Sequence, residues 1–343
     1  MSKKTVMLAL SGGVDSSVCI ELLKNEGYEV FSVVMKMSDA HEDTVLAAKK
    51  MAERFNIPLS VLDLREEFKE KIIIPFAQSY KNAKTPNPCI VCNPEIKFKY
   101  LLTEADKTGC DFIATGHYAS VGFENGRYFI KTAKSAARDQ SYMLYRLPQE
   151  ILKRLILPLD SLEKSEVREK AHELNLECAD APDSVENCFI PNGNYAEYIE
   201  NLVGASPKGN FISPDGKIVG EHKGIIHYTV GQRKGLNISL GQSVFIKKID
   251  AQTNNIYLAY KGGDFGDTAF VEDCVYMCLD NISEPTRAEV KIRSTAKRAS
   301  ATIYPLESRK AKVVFSEPVK AIAAGQSAVF YLGDKVLGGG FIV

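Results

Sequence analysis

Short apolar runs alternate with amphipathic stretches through the first 120 residues of the chain. Runs of strand-forming residues at 5–10, 28–35, 59–64 and 111–119 are separated by helical stretches at 16–27, 44–56 and 65–81. Strands that alternate with helices predict an α/β fold built on a doubly wound parallel sheet. Ligands of such sheets bind beyond the carboxyl ends of the strands, so we expect a site where these strands end.

A different pattern follows this alternation. An Asn-Gly pair lies between two runs of alternating residues and predicts a β-hairpin over 120–132. Helical periodicity returns over 139–155 and 162–176, and a last helical stretch covers 195–203. From about residue 205 the chain has only short strands and turns, which predicts an all-β half made of two small barrel-like modules.

The length of the chain also favours several domains. Its 343 residues exceed what one hydrophobic core normally serves, and its 45% hydrophobic and 25% charged residues are typical of globular proteins. With the change of pattern, we expect three domains, at 1–204, 205–264 and 265–343. No window approaches a membrane span, and the apolar run after Lys3 and Lys4 is too short for a signal peptide, so we expect a cytoplasmic protein.

Charge and cysteine content narrow the range of functions that the chain can have. The formal net charge is zero, which argues against a surface that is basic throughout, but residues 287–312 hold eight Lys or Arg against Glu289 and Glu307. A local patch of this kind is suited to phosphates. The eight cysteines occur without an export signal, so we expect no structural disulfide framework and a chemical role for some of them.

The turn after the first strand reads Ser-Gly-Gly-Val-Asp-Ser-Ser, at 11–17. It combines glycine flexibility, hydroxyl groups and backbone N–H groups at the start of a helix, where the helix dipole favours a phosphate. It is not a Walker A loop, because that motif requires a lysine that this turn lacks. Asp15 stands among the serines, which suits a pyrophosphate with a carboxylate available for Mg²⁺. A turn that serves stability alone is the alternative.

A pair of cysteines, Cys89 and Cys92, stands behind two prolines that stop a helix and before a pair of lysines. This spacing occurs in half of a zinc site, in dithiol redox pairs and beside catalytic nucleophiles. A zinc site needs a second pair. Cys274 and Cys278 are the candidates, but they fall beyond the domain boundary on a predicted strand. The residues alone leave these interpretations open.

Several longer motifs carry a resemblance to known families. The turn at 11–17 resembles the PP-loop of ATP pyrophosphatases, which cleave ATP between the α- and β-phosphates. Seven further segments resemble, in this order, those of tRNA-specific 2-thiouridylases: TPNPCIVCNPEIKFK, ATGHYA, RDQSYMLYRL, DSVENCFI, GEHKGIIHYTVGQRKGL, PVKAIAAGQSAVFY and LGGGFIV. The resemblance covers nearly the whole chain. It implies a PP-loop domain, a small β-rich middle domain and a C-terminal β-barrel, and an enzyme that converts the wobble uridine of a tRNA to 2-thiouridine.

The resemblance also implies roles for cysteines. Uridine O2 is a poor leaving group, so ATP first adenylates it, and a sulfur nucleophile then displaces AMP. Cys188 matches the cysteine that receives a persulfide, and Cys92 matches the one that resolves it by thiolate attack on sulfur. A fold or a movement must bring their Cα atoms to disulfide range, about 4.4–6.8 Å. Cys89 stands where some members carry an Asp thought to act as a base, so we place it in the site without a role. Lining the pocket is the alternative.

The implied cofactors are ATP and Mg²⁺, and the implied partners are tRNA and a sulfur donor protein. The implied catalytic residues are Cys92, Cys188, Asp15 and Cys89. The expected ATP site comprises Ala9, Leu10, Ser11, Gly12, Gly13, Val14, Asp15, Ser16, Met35 and Gly116. The expected tRNA contacts are Asn87, Pro88, Cys89, Lys97, Lys99, Arg138, Asp139, Gln140, Arg233, Lys234, Arg293 and Ser294. The resemblance suggests tRNAs for Glu, Gln and Lys, and a cysteine desulfurase or its relay protein as donor. We expect no resident metal and no membrane partner. His117 either fixes its loop by hydrogen bonds or takes part in catalysis.

Two departures separate this chain from the family pattern. Many members carry an acidic, Trp-containing insertion after position 36 that is missing here, and Val-Glu-Asn at 185–187 replaces a sequence that is usually small or Gly-containing. Two other functions stay open. One is a different PP-loop enzyme that activates a small metabolite and has no need of Cys188. The other is a tRNA-binding protein without thiolation, which would consume no ATP.

Overall fold

The computed structural model describes residues 3–182, 187–190 and 193–343. Its α-helices are α1 Val14–Asn25, α2 Glu42–Arg54, α3 Arg65–Phe68, α4 Ile74–Lys81, α5 Pro88–Cys92, α6 Phe98–Thr108, α7 Gln149–Leu152, α8 Lys164–Glu173 and α9 Tyr195–Val203. Two π-helical segments, Lys69–Ile73 and Asn93–Lys97, join α3 to α4 and α5 to α6. Among the residues described, no helix has the length and apolar character needed to cross a membrane.

The chain also forms seventeen strands over the described residues. They are β1 Thr5–Ala9, β2 Glu29–Lys36, β3 Leu59–Asp63, β4 Phe112–Ala114, β5 Ser120–Glu124, β6 Arg127–Lys131, β7 Leu155–Ile156, β8 Gly209–Ile212, β9 Ile218–His222, β10 Val244–Asp250, β11 Asn255–Tyr260, β12 Phe265–Tyr276, β13 Thr286–Lys291, β14 Ala299–Leu306, β15 Lys310–Lys320, β16 Ser327–Leu332 and β17 Lys335–Ile342. They divide into three sheets.

The first sheet is parallel and has the strand order β3-β2-β1-β4-β7. Its central strand β1 is buried on both faces, because Met7 packs into one hydrophobic core while Val6 and Leu8 pack into a second core on the opposite face. The direction of winding reverses between β1 and β4, which opens a crevice at the carboxyl ends of these two strands. The prediction of a doubly wound parallel sheet is confirmed.

The β-half consists of two antiparallel-rich sheets. Strands β8 to β11 form a four-stranded sheet in the order β10-β11-β8-β9. Strands β12 to β17 form a six-stranded antiparallel barrel, which closes because β12 pairs with β17. The predicted hairpin forms as β5 and β6, with Asn125 and Gly126 at positive φ of 51° and 79°, and it joins the barrel where Lys131 pairs with Lys335.

The predicted helix over 139–155 is wrong. The segment instead contains a 3₁₀ turn at Ser141–Met143, the short helix α7 and the short strand β7. Its apolar residues are buried between domains rather than along one helical face. Tyr142 donates a hydrogen bond to the Ser327 carbonyl of the barrel (2.9 Å), and the Tyr145 hydroxyl lies 3.0 Å from the Ser327 hydroxyl. Tertiary packing therefore sets the conformation of this segment.

A helix that the sequence did not predict carries the cysteine pair. Pro88 was expected to stop a helix, but it is the first residue of α5, where its missing N–H costs no intrahelical bond. The side chain of Asn87 caps the helix by accepting a hydrogen bond from the Cys89 amide (3.2 Å). From there the chain stays helical through the π-segment and α6 to Thr108.

The barrel holds the loop that leads into this helix. The Thr85 amide donates to the Ala324 carbonyl (2.8 Å), and the Gln326 side chain donates to the Thr85 carbonyl (2.8 Å). Gly325 allows the close approach, because a Cβ there would lie 2.9 Å from the Thr85 nitrogen. We refer to these contacts of Thr85 with Ala324 and Gln326 as the barrel clamp.

Candidate functional site

A cavity of about 420 Å³ opens where β1, β2 and β4 end. Its lining includes seven of the residues expected to bind ATP: Ala9, Leu10, Ser11, Asp15, Ser16, Met35 and Gly116. The other three, Gly12, Gly13 and Val14, belong to the same turn and to the start of α1. Lys97, His117, Gln140 and Cys188 complete much of the wall. The fold therefore places the glycine-rich turn and one of the two expected sulfur-carrying cysteines on a single cavity.

The turn at 11–17 leaves amide groups available at the start of α1. The first intrahelical bond runs from the Ser17 amide to the Gly13 carbonyl (3.0 Å). The amides of the first helical turn therefore lack intrahelical acceptors, and no side chain caps them within the described chain. Ser11 and Ser16 close the turn, with 3.0 Å between their hydroxyl oxygens. Unpaired amides at the positive end of a helix dipole favour a phosphate group.

Two glycines let the turns after β1 and β4 approach their neighbours. Gly12 has a φ of +77°, and a Cβ on it would lie 2.5 Å from the Cβ of Ala47 on α2. A Cβ on Gly116 would lie 3.1 Å from the Ser16 nitrogen and 3.3 Å from the Asp15 Cβ. A side chain at either position would push the phosphate-binding turn out of place.

The Asp15 carboxylate is held by two groups that the sequence did not point to. The Lys164 ammonium lies 2.8 Å from each carboxylate oxygen, and the Tyr118 hydroxyl donates to Oδ1 at 2.7 Å. The residues fit Mg²⁺ in the way that this ion normally binds with nucleotides, through one carboxylate and substrate phosphates. An ionised carboxylate can accept about four hydrogen bonds, so these two partners leave acceptor capacity on Asp15.

Cys89 and Cys92 lie one helical turn apart on α5. Cys92 is only 4% exposed, whereas Cys89 is half-buried. Burial raises the pKa of the Cys92 thiol to about 12. The charge of Lys97 and a hydrogen bond from the Lys97 backbone amide oppose this rise, while Cys188 and Cys89 add to it as neighbouring charges. The thiol of Cys92 is thus protonated at neutral pH until something in the site favours its thiolate.

Lys97 is the cation that the three thiols share. Desolvation acts to lower the pKa of its ammonium, but the charges of Cys92, Cys89 and Cys188 outweigh it and raise the pKa. Lys97, which is one of the expected tRNA contacts, lies in the wall of the cavity, and its contact with tRNA stays a prediction. Within the described chain, no hydrogen bond or ion pair engages its ammonium. A cation in this position can stabilise thiolates or phosphate oxygens.

Cys188 is the one cysteine among the described residues that lines the cavity. The residue is exposed, but desolvation raises the pKa of its thiol; Lys97 lowers it and Cys89 raises it. Cys92 and Cys188 each interact with the Lys97 ammonium, and their approach to disulfide range stays a prediction. We use the term thiol cluster for Cys89, Cys92 and Cys188.

A zinc site at Cys89 and Cys92 would need a second pair of ligands, and the candidates Cys274 and Cys278 lie in the barrel. Cys274 is buried in the hydrophobic core of the barrel, and Cys278 donates to the Val336 carbonyl beside it. Among the described residues, no group of three or more His, Cys, Asp or Glu side chains is arranged to hold a metal ion. All eight cysteines are free thiols. Cys19 and Cys110 are small core residues, as predicted.

Two histidines line the cavity near Lys97. The Nδ1 of His117 lies 2.8 Å from the Thr115 hydroxyl, and its ring packs against Phe98 with 5.7 Å between centroids. Desolvation, followed by the charge of Lys97, lowers the pKa of His117 to about 3. The pKa of His41 is lowered by the same two causes. His117 is therefore neutral at neutral pH, and its hydrogen bond supports the loop-fixing interpretation.

The expected tRNA contacts divide into those inside and those outside this site. Gln140 lines the cavity and accepts a hydrogen bond from the Tyr118 amide (2.9 Å). Asp139 accepts from the amide of Ser141 (3.2 Å) and from its hydroxyl (2.8 Å), so its carboxylate shapes a turn. Arg138 is exposed, and its charge acts on Tyr118.

The remaining expected contacts lie on or between the β-domains and on α6. Lys99, Arg233 and Lys234 are exposed. Arg293 is half-buried, and its guanidinium donates to the carbonyls of Val230 (2.8 Å) and Ala321 (3.3 Å), so it joins the small sheet to the barrel; Ser294 is half-buried beside it. The role of Arg293 in binding tRNA stays a prediction, but its guanidinium has structural partners.

The basic patch at 287–312 is partly neutralised. Arg309 pairs with Asp273 (2.7 Å), and Lys310 pairs with Glu272 (2.7 Å). Arg298 stacks on the Tyr331 ring at 3.7 Å. The net positive charge that this face offers is therefore smaller than the count of basic residues suggests.

Lys164 and Tyr118 are the functional residues that the sequence did not reveal. The pair of Lys164 with Asp15 spans 149 residues, and no spacing rule connects them. Residues 183–186, which hold most of the departure before Cys188, lie outside the described residues.

Three family models together match most of the chain. They are described as the tRNA methyl transferase HUP domain (residues 4–192), the tRNA methyl transferase PRC-barrel domain (196–260) and the aminomethyltransferase beta-barrel domain (267–342).

Curated relatives match over the full length. The tRNA-specific 2-thiouridylases MnmA of Acetivibrio thermocellus and Clostridium acetobutylicum are each 42% identical to this chain, and the alignments cover 100% of this chain and 100% of each relative. Among solved structures, the U34-tRNA thiolase NcsA of Methanococcus maripaludis with its [4Fe-4S] cluster aligns with a TM-score of 0.39 and 21% identity, covering 59% of this chain and 68% of that chain.

Proposed function

Because the chain belongs to the tRNA-specific 2-thiouridylase family, we propose that it is an ATP-dependent sulfurtransferase that converts the wobble uridine of tRNA to 2-thiouridine. The products besides the modified base are AMP and pyrophosphate. One observation carries the proposal: the PP-loop turn, Lys97 and Cys188 all line the same cavity of about 420 Å³.

ATP binding is assigned to the turn at 11–17. The unpaired amides at the start of α1 would hold the phosphates, and Met35 and Gly116 line the cavity beyond them. Asp15 is the carboxylate that would hold Mg²⁺ carried with ATP, and the ion would neutralise phosphate charge. Lys164 keeps the Asp15 carboxylate neutralised, so that it does not repel an incoming triphosphate.

Activation and sulfur transfer then follow at the same cavity. Uridine O2 attacks the α-phosphorus of ATP and releases pyrophosphate, which leaves the oxygen adenylated. The terminal sulfur of a Cys188 persulfide bonds to C2, and AMP departs with its electron pair. Cys92 as thiolate attacks the Cys188 sulfur. The S–S bond of the persulfide breaks, 2-thiouridine is released and a Cys92–Cys188 disulfide remains.

Lys97 supports both halves of this sequence. Its charge lowers the pKa of both Cys92 and Cys188 against the effect of burial. Its place in the cavity wall also puts a cation where phosphate charge develops on the α-phosphorus. No step requires Cys89, which the next subsection considers.

The substrate RNA would be bound by residues outside the cavity. Exposed cations on α6 and in the segment before β10, Lys99, Arg233 and Lys234, would make the phosphate contacts. The target base would be taken out of its stack to reach the cavity. We expect tRNAs for Glu, Gln and Lys as substrates and a cysteine desulfurase or a sulfur relay protein as donor.

The test supplies the purified protein with tRNA, ATP, Mg²⁺ and a persulfide donor, and measures AMP and 2-thiouridine by nucleoside analysis. We expect both products from the parent, AMP without 2-thiouridine from Cys188→Ser, and loss of 2-thiouridine from Cys92→Ser. Cys178→Ser, which changes a half-buried cysteine outside the thiol cluster, is the matched control and should behave as the parent. If Cys92→Ser and Cys188→Ser both match the parent, the sulfur chemistry proposed here is wrong. ATP consumption without tRNA would favour a small-metabolite enzyme.

A further inference from the structure

We propose that Cys89 is a third thiol of the reaction, which exchanges with the Cys92–Cys188 disulfide at the end of each cycle and leaves a Cys89–Cys92 disulfide for reduction. This inference rests on the proposed function, which generates the first disulfide. It gives a role to the cysteine that the sequence placed in the site without one.

The helix brings the two sulfur-bearing residues of α5 into disulfide range. Cys89 and Cys92 are three residues apart on Pro88–Cys92. With a rise of 1.5 Å per residue and a Cα radius of about 2.3 Å, their Cα atoms are about 5 Å apart. Disulfides form at Cα separations of about 4.4–6.8 Å. The Cα separation of Cys89 and Cys92 is therefore within disulfide range, and the Asn87 cap fixes the start of the helix.

The three thiols of the cluster are close enough to influence one another. Cys89 is among the charges that raise the pKa of Cys92 and among those that raise the pKa of Cys188. All three raise the pKa of Lys97. Cys89 and Cys92 lie on the same short helix, and the Lys97 ammonium interacts with both of them and with Cys188.

A relay would return the exposed thiol of the cluster to use. Cys188 is exposed and Cys89 is half-buried, whereas Cys92 is 4% exposed. Moving the disulfide from Cys92–Cys188 to Cys89–Cys92 leaves both oxidised sulfurs on one helix and frees Cys188, the thiol that must accept the next persulfide.

The exchange balances without an added oxidant or reductant. The Cys89 thiolate attacks the Cys92 sulfur, a new S–S bond forms, and the bond to Cys188 breaks with its electron pair on the Cys188 sulfur. One thiolate and one disulfide give one thiolate and one disulfide. The Cys89–Cys92 disulfide is then reduced by a dithiol, which supplies two electrons and two protons and becomes a disulfide itself.

The other cysteines are unsuited to this role. Cys19, Cys110 and Cys274 are buried in hydrophobic cores, and Cys278 lies at the barrel. Cys178 is half-buried, and it is not among the groups that influence the thiols of the cluster within the described chain. Cys178→Ser is therefore the matched control.

Disulfide mapping tests the proposal on the whole protein without tRNA. The protein is equilibrated with oxidised and reduced glutathione, free thiols are alkylated, and tryptic peptides are weighed. Cys89 and Cys92 share the peptide 85–97, whereas Cys188 falls in 171–208. We expect the parent and Cys178→Ser to show a loss of two hydrogens within 85–97 and an alkylated Cys188. We expect Cys89→Ser and Cys89→Ala to show the 85–97 peptide cross-linked to 171–208. A parent that carries the cross-link with an alkylated Cys89, or only glutathione adducts, overturns the proposal.

Turnover with a dithiol reductant gives a second measurement. In Cys89→Ser, the steady-state rate of 2-thiouridine formation should fall several-fold relative to the first turnover, and the Cys92–Cys188 cross-link should accumulate. An unchanged ratio of steady-state rate to first turnover overturns the proposal. If the parent forms no 2-thiouridine at all, the proposed function fails, and the glutathione experiment still decides whether Cys89 takes over the disulfide.

Discussion

The ammonium of Lys164 lies 2.8 Å from both carboxylate oxygens of Asp15, so the first residue of α8 neutralises the only acid of the PP-loop turn. The Lys164 side chain is 12% exposed and the Asp15 side chain 33%. A carboxylate at the start of α1 would otherwise repel the phosphates that the free amides attract. This contact links the last α/β segment of the sheet domain to its nucleotide site.

Lys164→Gln should weaken ATP binding and lower stability together. Removing one partner of a mostly buried ion pair leaves the other charge poorly solvated, and we expect a loss of about 2 kcal/mol in the free energy of unfolding. ATP affinity, measured by calorimetry, should fall because Asp15 then repels the triphosphate. Lys134→Gln is the control, since Lys134 is 58% exposed and pairs with Glu166 at 3.6 Å. Equal ATP affinity in the two variants would contradict this role.

Gly12→Ala should disrupt the nucleotide turn far more than Gly27→Ala. Both glycines have positive φ, +77° and +90°, so both substitutions carry the left-handed backbone cost of about 1–2 kcal/mol. Only Gly12 adds a clash, with Ala47 Cβ at 2.5 Å, whereas nothing lies within 4 Å of a Cβ on Gly27. The clash should cost a further 1–3 kcal/mol, roughly. Thermal unfolding and ATP binding check the difference, which vanishes if the turn shifts freely.

Lys97→Gln should slow the chemistry of the thiol cluster. Loss of the charge removes an interaction that lowers the pKa of both Cys92 and Cys188. A higher pKa of either thiol lowers its thiolate fraction at neutral pH, and the thiolate is the form that reacts. The rate of Cys188 alkylation by iodoacetamide measures the effect directly. Lys99→Gln, which removes an exposed charge two residues away, should leave that rate unchanged. Similar rates in both variants would show that the ammonium does not act on the thiols.

Protonation of His117 should destabilise the protein as the pH falls. The unfolded chain binds a proton at this histidine below pH 6.5, roughly, whereas the folded chain, with a pKa of about 3, does not. The unfolded state thus binds more protons between these values, so the free energy of unfolding falls as the pH falls through this window. His117→Gln should make the fall shallower, although His41 contributes with the same sign. Denaturant titrations from pH 7 to pH 4 measure this, with the exposed His172→Gln as control. If the free energy of unfolding falls equally with pH in the parent, His117→Gln and His172→Gln, protonation of His117 does not destabilise the protein.

The α/β fold follows from local patterns, since the consecutive apolar residues Val6, Met7 and Leu8 are typical of a strand that is buried on both faces of a parallel sheet. The phosphate-binding turn is equally local, because glycines and hydroxyls must be consecutive in sequence to form it. Contacts between residues far apart in the sequence cannot be predicted in this way. Lys164 contacts Asp15 because α8 packs on α1, and neither segment contains a pattern that identifies the other as its partner.

Two expectations from local rules are wrong, because tertiary contacts set the conformation of both segments. Pro88 breaks a helix only at interior positions, and its position relative to the helix start depends on where the barrel clamp fixes Thr85. Tyr142 and Tyr145 have helical spacing with their neighbours, but their hydroxyls find partners on the barrel. The convergence of Cys92 and Cys188 came from the family resemblance rather than from their spacing.

The barrel clamp has a mechanical consequence. Thr85 precedes the cysteine helix by three residues and is tied by its amide and its carbonyl to Ala324 and Gln326. A shift of the barrel relative to the sheet domain would therefore move the first turn of α5 with it. The position of the barrel and the orientation of Cys89 and Cys92 are coupled through Thr85.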